Sequence, residues 1–212
     1  MTVRSQQSAA SCKYPKICNA GRRGASARYV RLVGGSVYVW VAAAGGEPRE
    51  AAHGLLLELA GTLVGRPRLS HDEAGRPEIA GLAVSVAYSG RLVAVAAAYG
   101  GPVGVDLEEI RGREVTGLAE RWFGVRELEW MRQQDDELVA FLQLWTAKEA
   151  VGKALGVGLR GAGLRREMPL GGGEVEPGLV VTHLSLPGAV LAVAAPVGVG
   201  VSPTLDPACV RG

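Results

Sequence analysis

Asp106 and Glu108 close an apolar stretch, PVGVDLEE, at residues 102–109. Two apart on a strand, their side chains project to one face with a spacing of about 7 Å along the backbone. Two carboxylates facing one way beside apolar backbone repel each other unless a cation lies between them. Oxygen donors without neighbouring Cys or His favour Mg²⁺ or Mn²⁺ over Zn²⁺, although a strand end running into solvent carries the same residues with no metal at all. A second charged group stands in FLQLWTAKEAVGKALG, residues 141–156. At helical spacing the apolar stripe of Leu138, Leu142 and Trp145 runs on into Glu149, Gly152 and Lys153. A packing stripe that turns charged partway along a helix suggests a cleft. A solvated Glu149–Lys153 pair, worth about 0.2–0.5 kcal/mol, is the plainer account.

These side chains need elements to hold them. Val-rich segments bounded by Gly, Pro or Ser read as strands at Val37–Ala44, Leu82–Tyr88, Leu92–Tyr99, Val103–Leu107, Leu179–Leu186 and Val190–Ala195. Helical spacing runs through Glu50–Val64, through Val115–Arg132 with a break near Phe123–Gly124, and through Leu138–Leu155, which Gly156 closes. The segments LAVSVAYSGRLVAVAAAYG and LVVTHLSLPGAVLAVAAPVG echo each other as strand, tight turn and strand. The expected class is therefore α+β, in two similar lobes. The expected division is a basic, disordered extension at 1–28, an N-terminal lobe at 29–105 and a C-terminal lobe at 106–212.

Taken together, GVD-x-E and, 43 residues from Asp106 to Glu149, W-T-A-KE-A-V-G-K resemble the paired signature of the 4′-phosphopantetheinyl transferases. The likeness runs from about His53 to Leu159, takes in GLAERWFGVRELEWM, and is to the long, pseudo-dimeric type that serves peptide and polyketide synthetases. The resemblance implies two lobes related by a pseudo-twofold axis, each a small antiparallel sheet with a packed helix. It implies transfer of phosphopantetheine from coenzyme A to a serine of an apo acyl or peptidyl carrier protein, releasing 3′,5′-ADP. On this reading Asp106, Glu108 and Glu149 hold Mg²⁺ (or Mn²⁺), Glu149 takes the serine proton, Lys153 neutralises the departing phosphate, and Lys148 contacts phosphate nearby. The coenzyme would also meet Gly75, Arg76 and Pro77 of GRPEI, Arg49 and His53 before and within the first helix, and Tyr88 and Ser89.

Two departures stand out. Tyr88 replaces a family histidine, and a neutral phenol cannot supply an imidazolium charge. The basic run before the first helix is reduced to Arg49 and His53. They keep open a coenzyme- or carrier-binding homologue with weak catalysis; a Mg²⁺-dependent nucleotide pyrophosphohydrolase is the other alternative.

Composition narrows the class. The chain has 212 residues, 48% hydrophobic and 21% charged, with a formal net charge of +2, which excludes disorder as the overall state. Residues 1–46 hold seven basic side chains and no acid, leaving the remainder acidic, so a nucleic-acid-coating surface is not expected. Pro187, Pro196 and glycines interrupt the apolar run Leu184–Val201, which reads as two strands and a turn, not a membrane span. Cys12, Cys18 and Cys209 lack metal-ligand spacing, and the expectation is a reduced, cytoplasmic monomer.

Overall fold

The computed structural model describes residues 35–157 and 163–206; the 1–28 extension, Leu159 and all three cysteines lie outside them. Alternation of buried and exposed side chains sets the strands. In β1 (Ser36–Ala43), Val37, Val39 and Val41 point inward. Helix α1 (Pro48–Val64) starts at Glu47, whose side chain accepts the Glu50 N–H, with Pro48 in the first turn, where its missing N–H costs nothing. Two three-residue strands follow, β2 (Leu69–His71) and β3 (Pro77–Ile79), then the hairpin β4 (Ala83–Ser89) and β5 (Leu92–Ala98). The second half repeats the order with more helix. It comprises β6 (Gly104–Glu109), α2 (Thr116–Trp122), α3 (Val125–Arg132), α4 (Glu137–Ala154), β7 (Glu174–Glu176) and the hairpin β8 (Leu179–Leu186) and β9 (Ala189–Pro196). The expected break at Phe123–Gly124 separates α2 from α3.

The strands form two four-stranded sheets, ordered β10-β1-β5-β4 and β6-β9-β8-β7, where β10 is Gly200–Leu205. Three apolar seams stack them in four layers. Leu56, Leu59 and Ala60 of α1 cover one face of the first sheet. Val37, Val39, Ala94 and Ala96 meet Val105, Leu107, Leu191 and Val193 between the sheets. Phe141, Leu144, Ala147 and Val151 of α4, with α2 and α3, cover the second sheet. The alanines in β5 and β9 leave little bulk between layers, so the sheets and helices approach closely.

The wiring of the two halves corresponds. β1 pairs with β5 as β6 pairs with β9, and each hairpin turns through two residues with a positive-φ glycine, Gly90 or Gly188. One expectation is corrected: the first sheet is not purely antiparallel. After β9 the chain turns at Gly198 and crosses over, and β10 runs parallel to β1, Ser36 beside Gly200. This strand, from the second half of the sequence, satisfies the edge N–H and C=O groups that β1 would otherwise expose.

Candidate active site

Gly104 decides how near the helix comes to the acidic strand. A β-carbon there would fall inside the carbonyl oxygen of Ala150 and 2.7 Å from the Ala154 nitrogen, so α4 lies directly on β6. That contact brings Glu149 and Lys153 down to Asp106. The Lys153 ammonium donates to Asp106 Oδ1 at 2.7 Å, to the Val105 carbonyl at 3.0 Å and to the Val86 carbonyl at 3.2 Å. One side chain on α4 thus pins β4 of the first sheet to β6 of the second.

Around it the three expected carboxylates share one field. Asp106 is 5% exposed, and burial pushes its carboxyl up despite the opposing pull of Lys153. Burial also raises Glu149, and the neighbouring Asp106 and Glu108 charges add to the effect, bringing it to about 7. Glu108 is steadied from two sides, by the Ser89 hydroxyl at 3.1 Å and by Arg113 at 3.2 Å. Asp106 Oδ2 is buried and meets no hydrogen-bond partner in the protein. A buried carboxylate oxygen left open, beside acidic neighbours whose charges help raise Asp106 and Glu149, fits a hard divalent cation. Among the described residues no three His, Cys, Asp or Glu side chains stand in closed metal-ligating geometry. The group is an acidic field with an open oxygen, not a finished cage. Asp106, Glu108 and Glu149 are the residues that could hold the ion.

Beside this field lies an open cleft of about 590 Å³, lined by Lys153, Arg76, Pro77, Ser70, Asp72 and Val84 among others. The volume is that of a small-molecule site. The β2–β3 hairpin that forms its rim is built by Asp72, whose carboxylate accepts the Ala74 and Arg76 backbone N–H groups and the Arg76 Nε–H. These hydrogen bonds hold the Asp72 carboxyl below its usual range. Gly75, at φ +80°, allows the tight turn. The Arg76 guanidinium lies against Gly156, at φ +69° just beyond α4, where a β-carbon would strike it. Lys153 and Arg76 are therefore both brought to the cleft.

Other expected residues go elsewhere. Lys148 does not reach phosphate. One residue along a helix is a turn of about 100°, so Lys148 points into the core while its neighbour Glu149 turns toward Asp106 and Lys153. The Lys148 ammonium is buried 2.8 Å from Glu127 and also donates to the Arg166 carbonyl. Glu127 in turn accepts from the Gly124 and Met168 N–H groups, at 2.9 Å each. The pair thus ties the loop after α4 to the helices, and Lys148 is corrected from coenzyme contact to core support. Ser89 orients Glu108 and accepts the Glu109 N–H, also a supporting role. Tyr88, on the opposite face of β4, is half exposed. Arg49 and His53 gather with His71, whose Nε2 lies 3.4 Å from that of His53; burial, then the His71 and Arg49 charges, lower the His53 pKa.

Ser85, Asp72 and Glu127 escaped the sequence reading, as did the place of His71 in a strand. Ser85 accepts the Val105 N–H across the sheets at 3.0 Å. Asp72 and His71 lie in a hairpin too short to show a period. Glu127 did leave a signal, since Phe123, Glu127 and Met131 recur at helical spacing with an acid in the middle.

Comparison with known proteins picks out the same segment. Residues 102–170 match the family model described as the 4′-phosphopantetheinyl transferase superfamily. The 4′-phosphopantetheinyl transferase HetI of Nostoc is 31% identical over 122 residues, 51% of this chain and 52% of HetI. The 4′-phosphopantetheinyl transferase gsp of Aneurinibacillus migulanus is 37% identical over 60 residues, 27% of this chain and 25% of gsp. The chain spans about half the length of HetI and a quarter of that of gsp. Residues 102–170 run from the acidic strand to the loop beyond α4, and over them the chain is similar to the 4′-phosphopantetheinyl transferase superfamily.

Proposed function

We propose that this protein transfers the 4′-phosphopantetheine arm of coenzyme A to a serine hydroxyl of an apo acyl or peptidyl carrier protein, with release of 3′,5′-ADP. The carriers would be those of polyketide and nonribosomal peptide assembly. The enzyme would act as a cytoplasmic monomer whose two corresponding halves are related by a pseudo-twofold axis. Among the described residues no helix is long and apolar enough to cross a membrane.

The observation that carries the reading is the convergence of Asp106, Glu108, Glu149 and Lys153 on one acidic field at the edge of the cleft. A bound Mg²⁺ would supply charge neutralisation at the coenzyme pyrophosphate, lowering the barrier to attack by an alcohol. Asp106 and Glu108 would hold it, Asp106 through its open oxygen. Glu149 would join them as a ligand and accept the serine proton as the new P–O bond forms and the bond to the departing 3′,5′-ADP breaks. Lys153, on the cleft wall, would lend its positive charge to the phosphate that leaves with 3′,5′-ADP, its N–H groups being held by Asp106 and two backbone carbonyls. Arg76 offers a second cation to the nucleotide phosphates.

The test is loading of a panel of apo carrier proteins with a fluorescent coenzyme A, read by gel and by mass shift. Asp106→Ala and Glu149→Ala should each lower the rate by about a thousandfold, with circular dichroism unchanged. Near-normal loading by either variant defeats the reading. Release of 3′,5′-ADP without any carrier would favour a pyrophosphohydrolase instead.

A further inference from the structure

Away from the carboxylates, α1 and β2 bring two imidazoles face to face. His53 and His71, 18 residues apart, place their Nε2 atoms 3.4 Å from each other, with ring centroids 4.9 Å apart and planes tilted by 48°. Two ring nitrogens held this close share either a proton or a cation. A tetrahedral ion bonded to two imidazole nitrogens at about 2.0–2.1 Å spaces them about 3.3–3.4 Å apart, which matches the observed gap. His71 is exposed and His53 only half buried, so solvent can complete the coordination shell.

The placement gives such an ion a mechanical consequence. Ser70 and Asp72, on either side of His71, line the cleft. Since side chains alternate along a strand, His71 stands on the reverse side of the hairpin, toward α1. We propose that His53 and His71 form a binding site for a divalent transition-metal ion of the Zn²⁺, Ni²⁺ or Cu²⁺ type, and that the ion braces the β2–β3 hairpin against α1. Imidazole nitrogen suits these ions, whereas Mg²⁺ prefers oxygen, so this site and the carboxylate field are chemically separable. The inference does not depend on transfer activity.

Equilibrium dialysis of the full chain against Zn²⁺ in excess Mg²⁺ tests it, comparing wild type with His71→Gln, His53→Gln and Asp106→Asn. Wild type and Asp106→Asn should each bind one Zn²⁺ equivalent more than either histidine variant. Zinc should raise the melting temperature of wild type and not of His71→Gln. The Cu²⁺ electron paramagnetic resonance spectrum should show coupling to two imidazole nitrogens in wild type and lose it in His71→Gln. Circular dichroism establishes that the variants fold. Equal zinc stoichiometry in wild type and His71→Gln overturns the proposal, as does a site that vanishes in Asp106→Asn and survives in His71→Gln.

Discussion

β1 and β6 pair in the same register with the hairpin of their sheet, β1 as an interior strand beside β10 and β6 as an edge strand, but they carry opposite contents. Counted from the hairpin turn, Tyr38, Trp40 and Ala42 of β1 sit opposite Ala97, Val95 and Val93, while Gly104, Asp106 and Glu108 of β6 sit opposite Ala194, Ala192 and Val190. The register is identical, so the difference lies in the side chains. In β1 the aromatic rings of Tyr38 and Trp40 fill the space under α1 and belong to a purely apolar seam. In β6 a glycine leaves no bulk, the helix descends, and the vacated volume holds charge. The approach of Glu149 and Lys153 to Asp106 depends on the absence of a side chain two residues before the first acid.

The largest contrast lies in the helical cores. The α1 seam contains no ionised group, whereas the α4 seam buries Lys148 against Glu127, both 1% exposed. Lys148→Met should destabilise the protein by about 3–5 kcal/mol in urea unfolding, because it strands a buried carboxylate. Lys148→Met combined with Glu127→Leu should recover most of that loss. A null effect of the single change would place the pair in solvent.

Next comes the close approach itself. Gly104→Ala should cost about 1–3 kcal/mol through overpacking and lower carrier loading, as α4 lifts Glu149 and Lys153 from Asp106. Tyr38→Phe, at the matching position, should leave loading unchanged. Equal loading by both variants would break the comparison.

Titration gives a third, smaller handle. Glu149 has its pKa raised from 4.5 to about 7 in the folded, metal-free protein, so the fold holds this proton more tightly than the unfolded chain does. That contribution to stability is complete below pH 4.5 and is lost as pH rises through 7. Melting temperatures of metal-free protein should therefore fall across this window, and Glu149→Gln should flatten the trend. Asp106, raised by burial, acts with the same sign. A profile that rises over this range would contradict the assignment. The smallest effect expected is that of Ser85→Ala, about 1 kcal/mol, from loss of its hydrogen bond to the Val105 N–H.

Much of this was legible in the residues. The Val-rich strands and the Leu-spaced helices lie where period and punctuation put them, because each buries a whole face against a neighbouring layer. The acids of GVDLEE and the Glu149–Lys153 face were readable for the same reason: charge interrupts an apolar stripe. β2, β3 and β7, three residues each, are too short to express a period. The β2–β3 hairpin is organised by one carboxylate, that of Asp72, which no repeat announces. Lys148 misled because adjacency in a motif is not adjacency on a helix. Yet Phe141, Leu144, Lys148 and Val151 recur at helical spacing, so its burial was encoded. β10 was not expected, since Pro203 interrupts its short run, and no pattern in it says which sheet it joins.

That last pairing shapes how the chain comes off the ribosome. β1 is made early, but the strand that covers its open side follows some 160 residues later, Gly200 beside Ser36. At about 5–20 residues per second, β1 waits on the order of 10–30 s with a sticky edge unprotected. Over that interval a trigger-factor-like chaperone, or slow dosing of nascent chains, would do more for soluble yield than any change to the finished molecule.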